Sequence, residues 1–234
     1  MLPPWITKPQ SSTGLNWGSE AMLFYSCLLL LDRCTVILES YMISVNKLNL
    51  DEIKEIYFSH MQEAFPQSEL RPYKNIELLT NRGDYECYGL YNGASLIAYA
   101  FFAKTKDGKY SLLDYYAVLS GQRGQGIGSM FFPLLCDKMA QMSGFLIEVE
   151  SIESTDDSAE KQLRRRRIEF YKKNGCVMTG VKCLLYGVDF NIMLRPISSS
   201  CLSDKDTLTE LEKIYHTMFD IELYKRVCHP SIPG

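Results

Sequence analysis

The chain predicts an α/β (α+β) fold, a mixed and mostly antiparallel central sheet flanked by helices. Three observations carry that expectation. Two β-rich runs, one ending near Tyr91 and one covering Leu96 to Ala103, flank Asn92-Gly93, a dipeptide suited to a tight hairpin. A third run, Ser111 to Leu119, follows a turn at 106–109 and reads as antiparallel to the second. Beyond it helices and strands alternate, beginning with a glycine-rich turn directly after Leu119.

The remaining elements follow in order. Ile43 to Val45 suggests a short strand. Asn49 and Glu52 have the spacing of a capping box, and Ile53, Ile56, Tyr57 and Met61 recur at helical spacing, so a first helix is expected over about 51–64. A loop over 65–72 and a short second helix lead into the hairpin. After the glycine-rich turn come a helix to about Ser143, a strand Phe145 to Glu150, a polar loop through Asp157, and a basic helix to Asn174 with Gly175 as its C-terminal cap. Pro133 falls inside the first of these helices, where it removes a backbone hydrogen bond and marks an irregularity. Strands near Val177–Leu185 and Asp189–Leu194 complete the sheet. From Ser203 on, Leu208, Leu211, Tyr215, Met218 and Phe219 predict one more docked helix. The expected organisation is an N-terminal extension over 1–42, one domain over 43–195, and a helical tail over 196–234.

Composition narrows the function classes. At 234 residues, with 46% hydrophobic and 23% charged residues, the chain can bury a full core and does not resemble a disordered one. A formal net charge of -3 offers no overall pull toward nucleic acid or an anionic membrane, so an anionic ligand must be met locally. The 8 cysteines include no CxxC pair and no histidine at ligand spacing, which reads as reduced thiols in a cytoplasmic protein without a metal site. Within 1–42, the apolar stretch Ala21–Leu31 is shorter than the roughly 20 residues a bilayer span needs. It also lacks the basic flank and cleavage site of a signal peptide. A packed extension, or a segment upstream of the natural start, is expected there, with no membrane partner.

Chemistry concentrates in Val118, Leu119 and the segment that follows, Arg123-Gly124-Gln125-Gly126-Ile127-Gly128-Ser129. A glycine-rich turn between strand and helix aims backbone N–H groups at one point, and the helix adds its positive end, together a cradle for a diphosphate. Arg123 adds formal charge beside it. A Walker loop is excluded because no Gly-Lys-Ser/Thr ending is present. A dinucleotide-binding turn has Glu148 or Glu150 at a suitable distance. Against it, Ser129 replaces the third glycine, the preceding strand reads as antiparallel, and too little chain remains for further βαβ units.

At these residues the sequence resembles the GNAT superfamily of N-acetyltransferases, whose signature Gln/Arg-x-x-Gly-x-Gly/Ala is met by Arg123 to Gly128, with Val118 on the preceding strand. A second family signature, a helix ending in Tyr-x-x-x-Gly-Phe, corresponds to Tyr171 to Cys176, where Cys176 replaces the phenylalanine. Arg164 stands where an asparagine is frequent. The resemblance covers about 43–195 and implies acetyl-CoA as cosubstrate, no metal, and direct attack by a primary amine of a small molecule or peptide. It places pantetheine between two parted strands, against the backbone at Val118 and Leu119. It implies Tyr171 as general acid. Asp114, Glu148 and Glu150 are the strand carboxylates near enough to take the amine proton, with Asp114 and Glu150 preferred. Glu69, in the 65–72 loop, and Glu148 are candidates for holding the acceptor. A same-fold acyl-CoA-binding module with little turnover is the alternative. The run Arg164 to Arg167 reads as a solvated cluster, and no nucleic-acid partner is expected. A monomer or homodimer is expected.

Overall fold

The computed structural model describes residues 43–105, 108–198 and 202–233. The expectation for the 1–42 extension lies outside them. Strand β1 (Ile43–Lys47) leads into helix α1, which opens at Asn49 with the reciprocal cap its sequence promised. The Asn49 side chain accepts from the Asp51 and Glu52 amides, and the Asn49 amide donates to Glu52 at 2.7 Å. The helix runs over Leu50–Ile56, widens into a π turn over Tyr57–Met61, and closes over Gln62–Ala64. A short 3-10 turn (Gln67–Glu69) precedes helix α2 (Tyr73–Asn81).

Strands β2 (Tyr85–Asn92) and β3 (Ser95–Lys104) form the expected hairpin, displaced by one residue. Asn92 pairs with Ser95, so the two-residue loop is Gly93-Ala94, and Gly93 takes the positive φ (60°) that the first loop position requires. Strand β4 (Tyr110–Val118) continues the antiparallel order and ends at the glycine-rich turn. Helix α3 (Ile127–Lys138) follows, running through Pro133 and stopping short of Ser143. Then come β5 (Gly144–Glu150), α4 (Ser158–Lys173), β6 (Val177–Leu185), β7 (Val188–Pro196), α5 (Asp204–Met218), α6 (Ile221–Val227) and β8 (Cys228–Ser231).

The sheet order is β1-β2-β3-β4-β5-β7-β6-β8, and β4 against β5 is its parallel pair. Buried side chains divide between its two faces. Helices α1, α2 and α5 cover one through Ile53, Met61, Ile76, Leu211, Ile214 and Tyr215. Helices α3 and α4 cover the other through Phe131, Phe132, Leu135, Ile168 and Tyr171. The segment beyond 196 therefore contributes more than a docked helix: β8 pairs with β6 and extends the sheet, and 43–234 form one compact unit. Cys87, Cys136, Cys176, Cys183 and Cys228 are buried free thiols, while the other three cysteines lie outside the described residues. Among the described residues, no helix is long and apolar enough to cross a membrane.

Candidate active site

The site begins with an irregularity in β4. Phe101 pairs with Tyr115 and Phe102 with Leu113, leaving Asp114 as the extra residue of a β-bulge. A bulge bends its strand and raises the local twist. Pairing with β5 stops at the same level. Tyr110 to Leu113 pair with Gly144 to Ile147, yet β4 runs on to Val118 and β5 to Glu150. The two strands part there.

Backbone groups on both sides of this gap can be assigned by alternation. The Leu119 amide donates to Ile97 on β3 at 3.0 Å, so it is spent on the sheet. The Val118 amide, one residue earlier, faces the opposite way, into the gap. On β5, Ser151 donates to Asp189 at 2.7 Å, which leaves the Glu148 and Glu150 backbones on the gap side.

Beyond Leu119 a 3-10 turn (Ser120–Gln122) carries the chain into the glycine-rich turn. Gly124 and Gly126 have φ of 80° and 78°, a region L side chains rarely adopt, and a Cβ on either would meet nothing within 4 Å. Both glycines thus border open space. No amide from Gly124 to Ser129 has an acceptor among the described residues; the first helical bond runs from Met130 to Gly126 at 3.0 Å. Unpaired amides at the start of α3 are the donors that a helix N-terminus can offer to an anion. The Tyr116 hydroxyl fixes this turn by donating to the Gly128 carbonyl at 2.6 Å, while its ring stacks on Phe131 at 5.6 Å. Gly128 lies so close to Phe170 that a Cβ would stand 3.3 Å from its ring. Arg123 folds back, its Nε donating to the Val118 carbonyl at 3.1 Å. These groups fit the diphosphate and pantetheine of acetyl-CoA: unpaired donors for the first, an open strand edge for the second. Among the described residues, no cluster of side chains could hold a metal ion.

The carboxylates have sharply different surroundings. Asp114 is held by Arg71 at 3.5 Å and by the Tyr85 hydroxyl, and Arg71 is itself half-buried, with Phe219 5.2 Å from its guanidinium. Glu150 is clamped by Arg164 at 3.1 Å and Arg167 at 2.9 Å. Arg164 also donates to the Ser151 carbonyl at 2.6 Å, so this arginine is not the solvated residue expected. Glu148 is half-buried, and its carboxyl group accepts from the Tyr215 hydroxyl of α5. Burial raises its pKa to about 7, aided by repulsion from Asp114, while the Tyr215 hydrogen bond and Arg71 pull the other way. Glu69 lies near the gap mouth. Partial burial raises its pKa, as do Glu150 and Glu160, and Arg167 opposes them. Its loop is pinned by Tyr115, whose hydroxyl donates to the Glu69 carbonyl at 2.8 Å and accepts from the Arg71 amide at 2.7 Å.

Tyr171 sits on the other side of the sheet against Phe132 and Phe170. Its hydroxyl has no partner among the described residues, and burial pushes its pKa well up, so it stays protonated. The described geometry thus places the Val118 amide and the Glu148 and Glu150 backbones along the gap, with the 124–129 amides beyond the end of β4, while Tyr171 packs in the core under α3 and α4. It keeps the Asp114 side chain and the Leu119 amide engaged elsewhere. Sequence reasoning missed Arg71, Tyr85 and Tyr215.

The sequence profile of the Acetyltransferase (GNAT) family matches residues 50–176. The chain belongs to the GNAT acetyltransferase family. Among solved structures, it is similar to a Bacteroides thetaiotaomicron protein assigned to that family, with 18% identity and a TM-score of 0.57 over 77% of this chain and 98% of that one. It is also similar to the ribosomal-protein-S18-alanine N-acetyltransferase of Escherichia coli, with 21% identity and a TM-score of 0.50 over 68% and 97%. A spermidine N-acetyltransferase chimera from Vibrio cholerae and hSSAT gives 12% identity and a TM-score of 0.50 over 66% and 95%. At these identities the likeness concerns the fold. No curated protein sequence matches the chain.

Proposed function

We propose that this GNAT acetyltransferase moves an acetyl group from acetyl-CoA to a primary amine by direct attack. The observation that supports this best is the row of unpartnered amides from Gly124 to Ser129, opening beside a strand gap that contains a buried carboxyl group. The bound cosubstrate supplies an activated thioester. The amides of 124–129 hold the diphosphate, and the Val118 amide donates to the oxygen on which negative charge grows during attack.

Glu148 takes the proton from the acceptor amine. A base with a pKa of about 7 is half deprotonated at neutral pH, which favours proton transfer there. Glu150, neutralised by two arginines, orients the acceptor with Glu69 at the mouth, and Asp114 holds Arg71 and the loop in place. The Tyr171 hydroxyl donates a hydrogen bond to the departing sulfur, an ordinary thiol having a pKa of ~8.5. No cysteine is required for transfer.

Two measurements on the full chain test the proposal. Calorimetry should register CoA binding, and a thiol-release assay should detect turnover with an amine panel containing spermidine and a peptide with N-terminal alanine. CoA binding without thiol release on any amine would instead identify a regulatory module. No heat with CoA would remove the cofactor site altogether.

A further inference from the structure

A second concavity lies on the α1 side of the sheet. It has a volume of about 420 Å³ and is bounded by the second half of α1, β3 and the 3-10 turn after β4. Val118, Leu119 and Arg123 line it, so it adjoins the end of the strand gap, while Glu148 and Glu150 do not line it. Its α1 wall comes from the π turn, which supplies Ser59 and His60. Such turns are rare and frequently sit at functional sites.

Tyr99 contributes to the lining and is fully buried, yet its hydroxyl has no hydrogen-bond partner among the described residues. A buried hydroxyl left unpaired is unfavourable, so a ligand that opens the lining enough to bond it has an advantage there. Glu63 and Arg123 stand on the rim with opposite charges, and neither forms an ion pair with any described residue. Leu96 and Leu119 add apolar surface.

This combination selects for ligand charge. A simple anion would meet Glu63, and a simple cation would meet Arg123. A molecule carrying an ammonium and a carboxylate on one carbon satisfies both. We propose that this cavity binds a small zwitterion of the α-amino-acid class, with its ammonium on Glu63, its carboxylate on Arg123, and the Tyr99 hydroxyl bonded to one of its polar ends. An ammonium fully paired with a carboxylate keeps its proton and has no lone pair for attack. The cavity therefore holds the amino acid without presenting it for acetylation, and this binding does not depend on the transfer reaction proposed above.

The test is direct binding to the full chain without CoA, by calorimetry with glycine, L-leucine and L-glutamine. For leucine, the controls are isoamylamine, which lacks the carboxylate, and 4-methylpentanoate, which lacks the ammonium. At least one amino acid should bind. If it is leucine, it should bind at least about tenfold tighter than either control, since each control lacks one charged contact. Glu63→Gln, a surface change, should weaken binding about tenfold, and Tyr99→Phe by a smaller factor while the Tm of the free protein holds or rises. The proposal fails if none of the three gives heat at millimolar concentration, or if either control matches leucine. Full affinity in Glu63→Gln would also end it.

Discussion

Glu148 and Tyr215 show how much chemistry one contact can set. The carboxyl group is buried, which favours its neutral form, and the Tyr215 hydroxyl stabilises its charged form. Because its folded pKa is raised to about 7, the folded state retains this proton longer than the unfolded chain does. Its contribution to stability therefore falls as pH rises from the ordinary carboxyl range through about 7. Under the proposed mechanism activity should move the opposite way, since Glu148 as base is competent only when deprotonated. We expect kcat/KM to rise through an apparent pKa near 7. Glu148→Gln should abolish that limb, and Tyr215→Phe should shift it to higher pH by removing a bond that favours the anion. An unshifted limb in Tyr215→Phe would show that another group titrates. Strand alternation made Glu148 and Glu150 legible as neighbours on one face. Their division of labour was not legible, because it depends on Tyr215 and the arginines of α4, remote in sequence from β5.

At the scale of elements, the β4 bulge and the α3 N-terminus act together. The bulge at Asp114 starts the parting of β4 from β5, and the glycine-rich turn caps the opened end with unpaired amides. Gly126→Asp should cost CoA affinity twice over: the residue's φ of 78° strains any side chain, and a carboxylate would face the diphosphate. We expect at least a hundredfold weaker CoA binding by calorimetry with little change in fold by circular dichroism. Unaltered affinity would place the diphosphate elsewhere. The glycine spacing made this element readable, as the alternating strand pattern did for the hairpin. The hairpin loop slipped by one residue because Gly93 occupies the first loop position. The π turn in α1 left no periodic trace, since Ile53, Ile56, Tyr57 and Met61 also fit an ordinary helix.

For the whole molecule, the central expectation of a mixed, mostly antiparallel sheet between helical layers holds, and the eighth strand is the addition. A four-residue strand of sequence Cys-His-Pro-Ser has no recognisable β pattern, and only its pairing with β6 defines it. Helix α5 was readable from its apolar spacing, but its partner surface was not. It packs over the same face as α1 and α2, with Leu211 fully buried. Leu211→Ala should destabilise the protein by about 2–5 kcal/mol, lowering Tm on the order of 10 °C. A melt within a degree of the parent would mean that α5 is only loosely attached.

The family profile ends at residue 176, whereas the hydroxyl that steadies the Glu148 carboxylate comes from residue 215. During translation, the pyrophosphate loop and both parted strands leave the ribosome well before α5. A nascent chain halted between them holds the glycine-rich turn and the β4 and β5 segments but lacks the Tyr215 hydroxyl, so under the proposed mechanism competence for transfer arrives late in synthesis.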